Sequence, residues 1–150
     1  MKAVFLIIVA LIIIPLAGGG CGGDAKSVAV TINDLITNPE QYSGKTVTVE
    51  GIYVRGWEVD VLAESAAFLG TGKAKELKPV GATIWFAGLV PVEVQNGLYK
   101  FDSAQFGVQS YGKVRVTGLF ETEGDYGNMN QYKYRITATK IELLDWTPPE

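Results

Sequence analysis

The sequence predicts an all-β protein: a β-barrel with a minor helix near its start. Two patterns predict it. Residues 45–50 alternate polar and apolar side chains, the period of a half-buried strand. A second copy of the same device follows later. Tyr111, Gly112-Lys113, alternating valines, Gly118 and Leu119-Phe120 mirror Tyr42, Gly44-Lys45, alternating valines, Gly51 and Ile52-Tyr53. Two curved strands of one barrel explain this echo as well as a duplication would, and the spacing is too long for a solenoid repeat. At 150 residues the chain has the length of one domain, and past its N-terminal segment it contains no low-complexity insert.

The elements follow in order. Val28-Ala29-Val30 leads into Thr31, which with Asp34 makes a capping-box-like helix start. Asn38-Pro39 ends that short helix, because the residue before proline is pushed out of the helical region. Tyr42-Ser43-Gly44 then turns into the first strand. After Gly51, Ile52 and Val54 sit on the opposite parity from Val47 and Val49, so a bulge or a sharp bend of a coiled strand is expected at the glycine. Residues 59–68 form the second strand, a Gly- and Lys-rich turn occupies residues 70–78, and the apolar residues 82–87 form the third. Residues 91–106 are irregular or helical, with Pro91 suited to a helix's first turn and Gly97 weakening it. Residues 111–120 are the fourth strand. The long fifth strand starts at Gln131 and continues to Leu144.

The N-terminus reads differently. Lys2 and the free amino group precede fifteen non-polar residues, Ala3 to Ala17, and no acidic residue appears before Asp24. This is the order of a signal peptide. As a helix the run spans roughly 22 Å, short of the ~30 Å hydrocarbon core of a bilayer. Leu16-Ala17-Gly18-Gly19-Gly20-Cys21 resembles the lipobox of prokaryotic lipoproteins, although Gly18 stands where that family usually carries Leu. The resemblance implies cleavage before Cys21 and diacylglycerol on its thiol, with Gly22-Gly23 opening a flexible tether. Two alternatives stay open: cleavage after a small residue such as Gly19, which would release the protein, and an uncleaved anchor. All three place the body outside the cytoplasm. The expected organisation is a signal peptide over residues 1–20, a lipidated cysteine and tether over 21–27, a folded domain over 28–146 and a tail over 147–150.

The stretch INDLITNPEQYSGKTVTVEGIYV, with YGKVRVTGLFE and YKYRITATKIELL further on, resembles OB-fold domains of the tRNA-anticodon-binding-like type found in exported prokaryotic lipoproteins. The resemblance implies a five-stranded Greek-key barrel with a helical or irregular segment between its third and fourth strands. It does not imply a ligand, since this barrel carries many unrelated ones.

In such barrels the ligand face runs over the second and third strands, bordered by the loops after strands one and four. That points to Arg55 and Trp57 in the first loop, to Trp85 on the third strand, and to Tyr126, Asn128 and Asn130 in the second loop. Trp57 is placed to stack on a sugar or a base, or simply to cap the barrel end. Trp85 and Phe86 point to opposite faces, so only one of them is a surface aromatic. Glu121, Glu123 and Asp125 gather oxygen donors among glycines, but the spacing is not that of an EF-hand, and a solvated turn explains the same residues. Lys113, Arg115, Lys133 and Arg135 lie at outward parity on two consecutive strands. They form either an anionic-ligand stripe or ordinary charged cover for the sheet.

Composition narrows the function. The single cysteine excludes an internal disulfide, and the absence of histidine removes Ser-His-Asp and Cys-His chemistry and the common zinc sites. No catalytic constellation, cofactor motif or metal site is expected. The net charge of −3 disfavours nucleic acid, whose phosphates need clustered cations. The expected function is a membrane-tethered binding or adaptor module, held by a lipid on Cys21, for an envelope protein, glycan or small ligand. The alternative is an oligonucleotide-binding barrel.

Overall fold

The computed structural model describes residues 27–72 and 75–149. The expected signal peptide, Cys21 and most of the expected tether lie outside the described residues. Within them the order is β1 (Val28–Val30), α1 (Ile32–Thr37), α2 (Pro39–Tyr42), β2 (Thr46–Gly56), β3 (Val59–Leu69), β4 (Glu76–Ala87), α3 (Val92–Gly97), β5 (Tyr99–Ser103), β6 (Gly107–Glu121) and β7 (Arg135–Leu143). The protein is mostly β-sheet, as expected. Among the described residues no helix is long and apolar enough to cross a membrane.

All seven strands belong to one sheet in the order β1-β2-β3-β4-β7-β6-β5, and β2 also pairs with β6. Five strands, β2-β3-β4-β7-β6, therefore hydrogen-bond in a closed circuit. All of its pairings are antiparallel except β4 with β7. The remaining two strands extend the long ones. One side of β2 is held by β6 from Thr46 to Arg55, while the other is held first by β1 and then by β3 from Ile52 onward. Strand β6 likewise passes from β5, up to Tyr111, to β7 from Val114.

Inside the circuit, Val47, Val49, Tyr53, Leu62, Phe86 and Phe120 belong to one buried cluster. α1 contributes Ile32 and Leu35 to it, and α3 contributes Val94. The capping box forms as the sequence predicts: the Asp34 N–H donates to Thr31 Oγ1 at 3.0 Å, and the Thr31 N–H donates to Asp34 Oδ2 at 3.1 Å.

Four features differ from the sequence expectation. Seven strands replace five, because β1 adds to β2 and residues 91–106 divide into α3 and the short strand β5. The expected turn at 70–78 ends earlier, since β4 already starts at Glu76. The last strand starts at Arg135 instead of Gln131. Finally, Gly51 carries no bulge. Its register with β6 is unbroken, with Gly51 opposite Val114, so the apparent change of parity has another cause. Ile52 and Val54 face outward and are buried there in a second apolar cluster with Val61, Ala66, Leu77 and Tyr111.

A bulge in the β3–β4 hairpin brings the cover for that face. Gly81 and Ala82 oppose Glu64 alone, Gly81 is at φ +81°, and the Ala82 N–H donates to Glu64 Oε2 at 2.8 Å. A bulge bends its strand, and beyond it the arm turns back over the sheet. There Phe68 meets the rings of Phe101 and Tyr111 edge-on at 5.0 and 5.9 Å, and Leu77 is buried. A second bulge lies where the sequence echo placed a glycine, at Thr117/Gly118 against β7.

Gly51 is needed for a different reason. A Cβ there would lie 2.6 Å from Ile32 Cδ1 and 2.8 Å from the Ala63 carbonyl oxygen. Gly51→Ala should therefore lower stability by about 1–3 kcal/mol through overpacking, read as a shift of the urea midpoint of the full-length chain at unchanged slope.

Candidate functional site

Strands β2 and β3 meet in a two-residue turn, Trp57 and Glu58, after the register pair Gly56 and Val59. Glu58 adopts φ +61°, a left-handed conformation that non-glycine residues seldom take. Arg55 and Gly56 are thus strand residues, and of the expected first-loop pair only Trp57 is in the turn. Its side chain stands clear of the sheet, with 66% of the residue exposed.

Beside Trp57 runs a groove of about 320 Å³ bordered by Pro79, Phe106, Gln109, Asn128 and Gln131. Its polar centre is Gln109, which is buried. The Gln109 amide nitrogen reaches the Leu77 carbonyl at 3.5 Å, and its Oε1 has no partner. Exchanging the two amide atoms would leave both unsatisfied, since the amide oxygen would then face the Leu77 carbonyl oxygen. Gly56 lets the side chain lie flat, since a Cβ there would come within 3.0 Å of Gln109 Cγ. The charged groups at the groove are Glu58, Glu76 and Lys78, with Lys78 paired to Glu76 at 2.8 Å, so the groove carries no excess of positive charge.

Of the residues singled out in the sequence, the fold brings Trp57 and Asn128 together at this groove. Trp85 is elsewhere. Its ring lies 5.3 Å from that of Tyr132, beneath Gly127, where a Cβ would sit 2.7 Å from the indole. Phe86 is the one of the two that lies in the core. Tyr126 serves its own loop: its hydroxyl donates to the Glu123 carbonyl, its backbone bridges to Tyr132, and Arg135 stacks on its ring at 4.4 Å. Asn130 is exposed at φ +57°. Arg55 faces the inner side of the circuit, with its Nε 3.7 Å from Asp60 Oδ2.

The acidic loop does not act as a unit. Arg135 holds Glu121 through two hydrogen bonds, at 2.8 and 2.6 Å, and the Thr137 hydroxyl donates a third at 2.7 Å. Glu123 and Asp125 are exposed. Among the described residues no three acidic, cysteine or histidine groups come together as a metal site. The basic stripe is also broken up. Lys113 and Arg115 share Glu50, Arg135 takes Glu121, and Lys133 precedes β7 instead of lying in it. A wider cleft of about 440 Å³ beside β1 is lined by groups that already have partners: Thr31 with Asp34, Thr48 with Thr117, and Glu50 with Arg115.

Sequence reasoning missed Gln109. At its position on β6 it shares the outward parity of Lys113 and Arg115 and reads as one more surface polar residue. Only the folded-back arm that carries Leu77 buries it.

The Glu121 pair has a pH signature. Its hydrogen bonds from Arg135, then from Thr137, hold the Glu121 carboxyl below its ordinary 4.5. A lowered carboxylate stabilises the fold above its unfolded value, and that contribution is lost as pH falls through the folded value. The full-length chain and Glu121→Gln should therefore differ most in urea midpoint at neutral pH and converge progressively below about pH 4.5.

The chain matches no protein-family model, no curated protein and no solved structure.

Proposed function

We propose that the protein is a membrane-tethered, extracytoplasmic lipoprotein whose strand circuit is an OB-fold barrel, and that it works as a binding module. The Trp57 groove is its ligand site. The barrel reading is supported by the circuit order, in which the last strand inserts between the third and fourth ring strands in Greek-key fashion. α3, lying between those same ring strands, supports it too. The lipoprotein reading is supported by the sequence of the leader and by the position of the lone cysteine after it.

One observation carries the choice of ligand: an exposed tryptophan stands over a groove whose buried amide lacks a hydrogen-bond partner. An indole face offers stacking area, while the Gln109, Asn128 and Gln131 amides offer donors and acceptors without charge. That combination suits a neutral polar ligand with an apolar face, and a glycan has both. The acid side chains at the groove, and the carboxylates already sharing Arg115 and Arg135, weigh against a polyanion.

Trp57→Ala should abolish most of the fluorescence response of the full-length chain, in detergent, to chitohexaose or cellohexaose. The expected weakening is about 1–3 kcal/mol, and the urea midpoint should not move because Trp57 is exposed. If neither sugar gives a saturable response and a short oligothymidylate does, with affinity falling steeply in salt, the nucleic-acid reading replaces this one.

The address has its own measurement. Intact mass of the chain recovered from membranes should give a polypeptide starting at Cys21 with added acyl mass. An unmodified chain starting at Met1 would refute lipidation.

A further inference from the structure

A third cavity, of about 260 Å³, lies on the inner side of the β2–β3 hairpin, beneath α3. Tyr53 lines it from within, and Arg55, Gln95, Lys100 and Ser110 line it with two apolar neighbours, Val90 and Leu98. Tyr53 is completely buried, its ring edge-on to Phe86 at 4.9 Å, and its hydroxyl has no hydrogen-bond partner. Buried polar atoms are rarely left in that condition, and each one calls for an explanation. Burial, reinforced by the nearby Asp60 carboxylate, keeps the Tyr53 hydroxyl protonated, so toward an anion it acts as a donor.

The rim supplies the charge. Lys100 Nζ sits 2.7 Å from Ser110 Oγ and 3.4 Å from the Gln95 carbonyl, both of them neutral. The Arg55 guanidinium meets Asp60 only at 3.7 Å, beyond hydrogen-bond distance, and its side chain is half exposed. Asp60 pairs with Arg55 across the hairpin and stands beside this phenol, its own buried Oδ1 likewise without a partner, but it does not line the cavity. Lys100, an Arg55 that Asp60 engages only loosely, a serine hydroxyl and a buried phenol therefore converge on one open-mouthed space.

We propose that this cavity binds a small oxyanion, with the Tyr53 hydroxyl donating from the floor and Arg55 and Lys100 meeting the charge at the rim. The shared chemistry is a compact group with at least two acceptor oxygens, either a phosphate monoester or a carboxylate. Charge-assisted hydrogen bonds of this kind are the strong ones, and arginine's fork suits both groups. The site is independent of the Trp57 groove, which faces outward from the same hairpin.

The test titrates the full-length chain in detergent with inorganic phosphate in one arm and succinate in the other. Both are held at constant ionic strength against sodium chloride, and thermal unfolding with calorimetry is the readout. Saturable binding by phosphate alone assigns a phosphate head, and by succinate alone a carboxylate. In either arm Lys100→Met and Tyr53→Phe should each weaken binding by about tenfold, whereas Lys45→Met and Trp57→Ala should leave it unchanged. Lys100 is exposed, and Tyr53→Phe keeps the ring that packs on Phe86, so both variants retain the fold. The proposal is overturned if neither anion acts beyond sodium chloride, or if Lys100→Met binds as tightly as the parent.

Discussion

The two long strands, β2 and β6, constrain everything else. They pair with each other over ten consecutive register positions, and each changes its partner on the other side partway along. Strand β2 passes from β1 to β3 beyond Val49, and β6 passes from β5 to β7 beyond Tyr111. An inward-facing glycine sits at each change, Gly51 on β2 and Gly112 on β6. A Cβ on either would strike a plugging side chain, Ile32 from the α1 end or Leu98 after α3, at 2.6 and 2.9 Å. The glycines let one ring of strands close around a core that two short helical segments fill from outside it. Neither α1 nor α3 is long enough to be stable alone, so their place is fixed by the space these glycines leave.

Burying β2 on both faces has a second consequence. The inner face packs in the ring, and the outer face needs a cover that a small sheet does not provide by itself. The β3–β4 arm provides it by bending at the Gly81 bulge and laying Phe68 and Leu77 over Ile52, Val54 and Tyr111. Much of the outer surface near the hairpin is therefore occupied by the chain itself. What stays open is the strip past the end of the arm, where Trp57 projects and Gln109 lies half-satisfied. The position of the groove thus follows from where the arm stops.

Much of this was legible in the sequence, and the limits have physical causes. Local patterns transferred well: the Thr31–Asp34 capping box, the alternation at Val47 and Val49, the opposite facing of Trp85 and Phe86, and the turn at Trp57. Parity failed at Ile52 and Val54, because alternation reports burial on one face and this strand is buried on two. Strand β5 was invisible, since Tyr99 to Ser103 is a short edge strand whose pattern is set by its pairing with β6. In the candidate site Trp57 and Asn128 could be named from loop position alone. Gln109 could not, because its burial depends on Leu77, far away in sequence. Trp85 was misplaced for the same reason, since Tyr132 and Gly127 cover it from a distant loop.

The same non-local pairing decides what kind of ligand the surface tolerates. Arg115 and Arg135 look free along their strands, yet the register puts Glu50 opposite Arg115 and Glu121 opposite Arg135. Each cation is matched by a carboxylate on the adjacent strand, with the cross-strand pairing that stabilises sheets. At the β2–β3 hairpin end the register puts Asp60 opposite Arg55, with the looser contact of 3.7 Å, and Lys100 reaches only neutral oxygens. Pairing Arg115 and Arg135 on the outer face while leaving Lys100 and a loosely held Arg55 around a buried phenol separates two chemistries across one hairpin. Neutral amides and an indole face outward, and positive charge faces inward. Because Gly56 supports Gln109 on one side while Arg55, its neighbour, faces the cavity on the other, the backbone of this single turn sets the geometry of both.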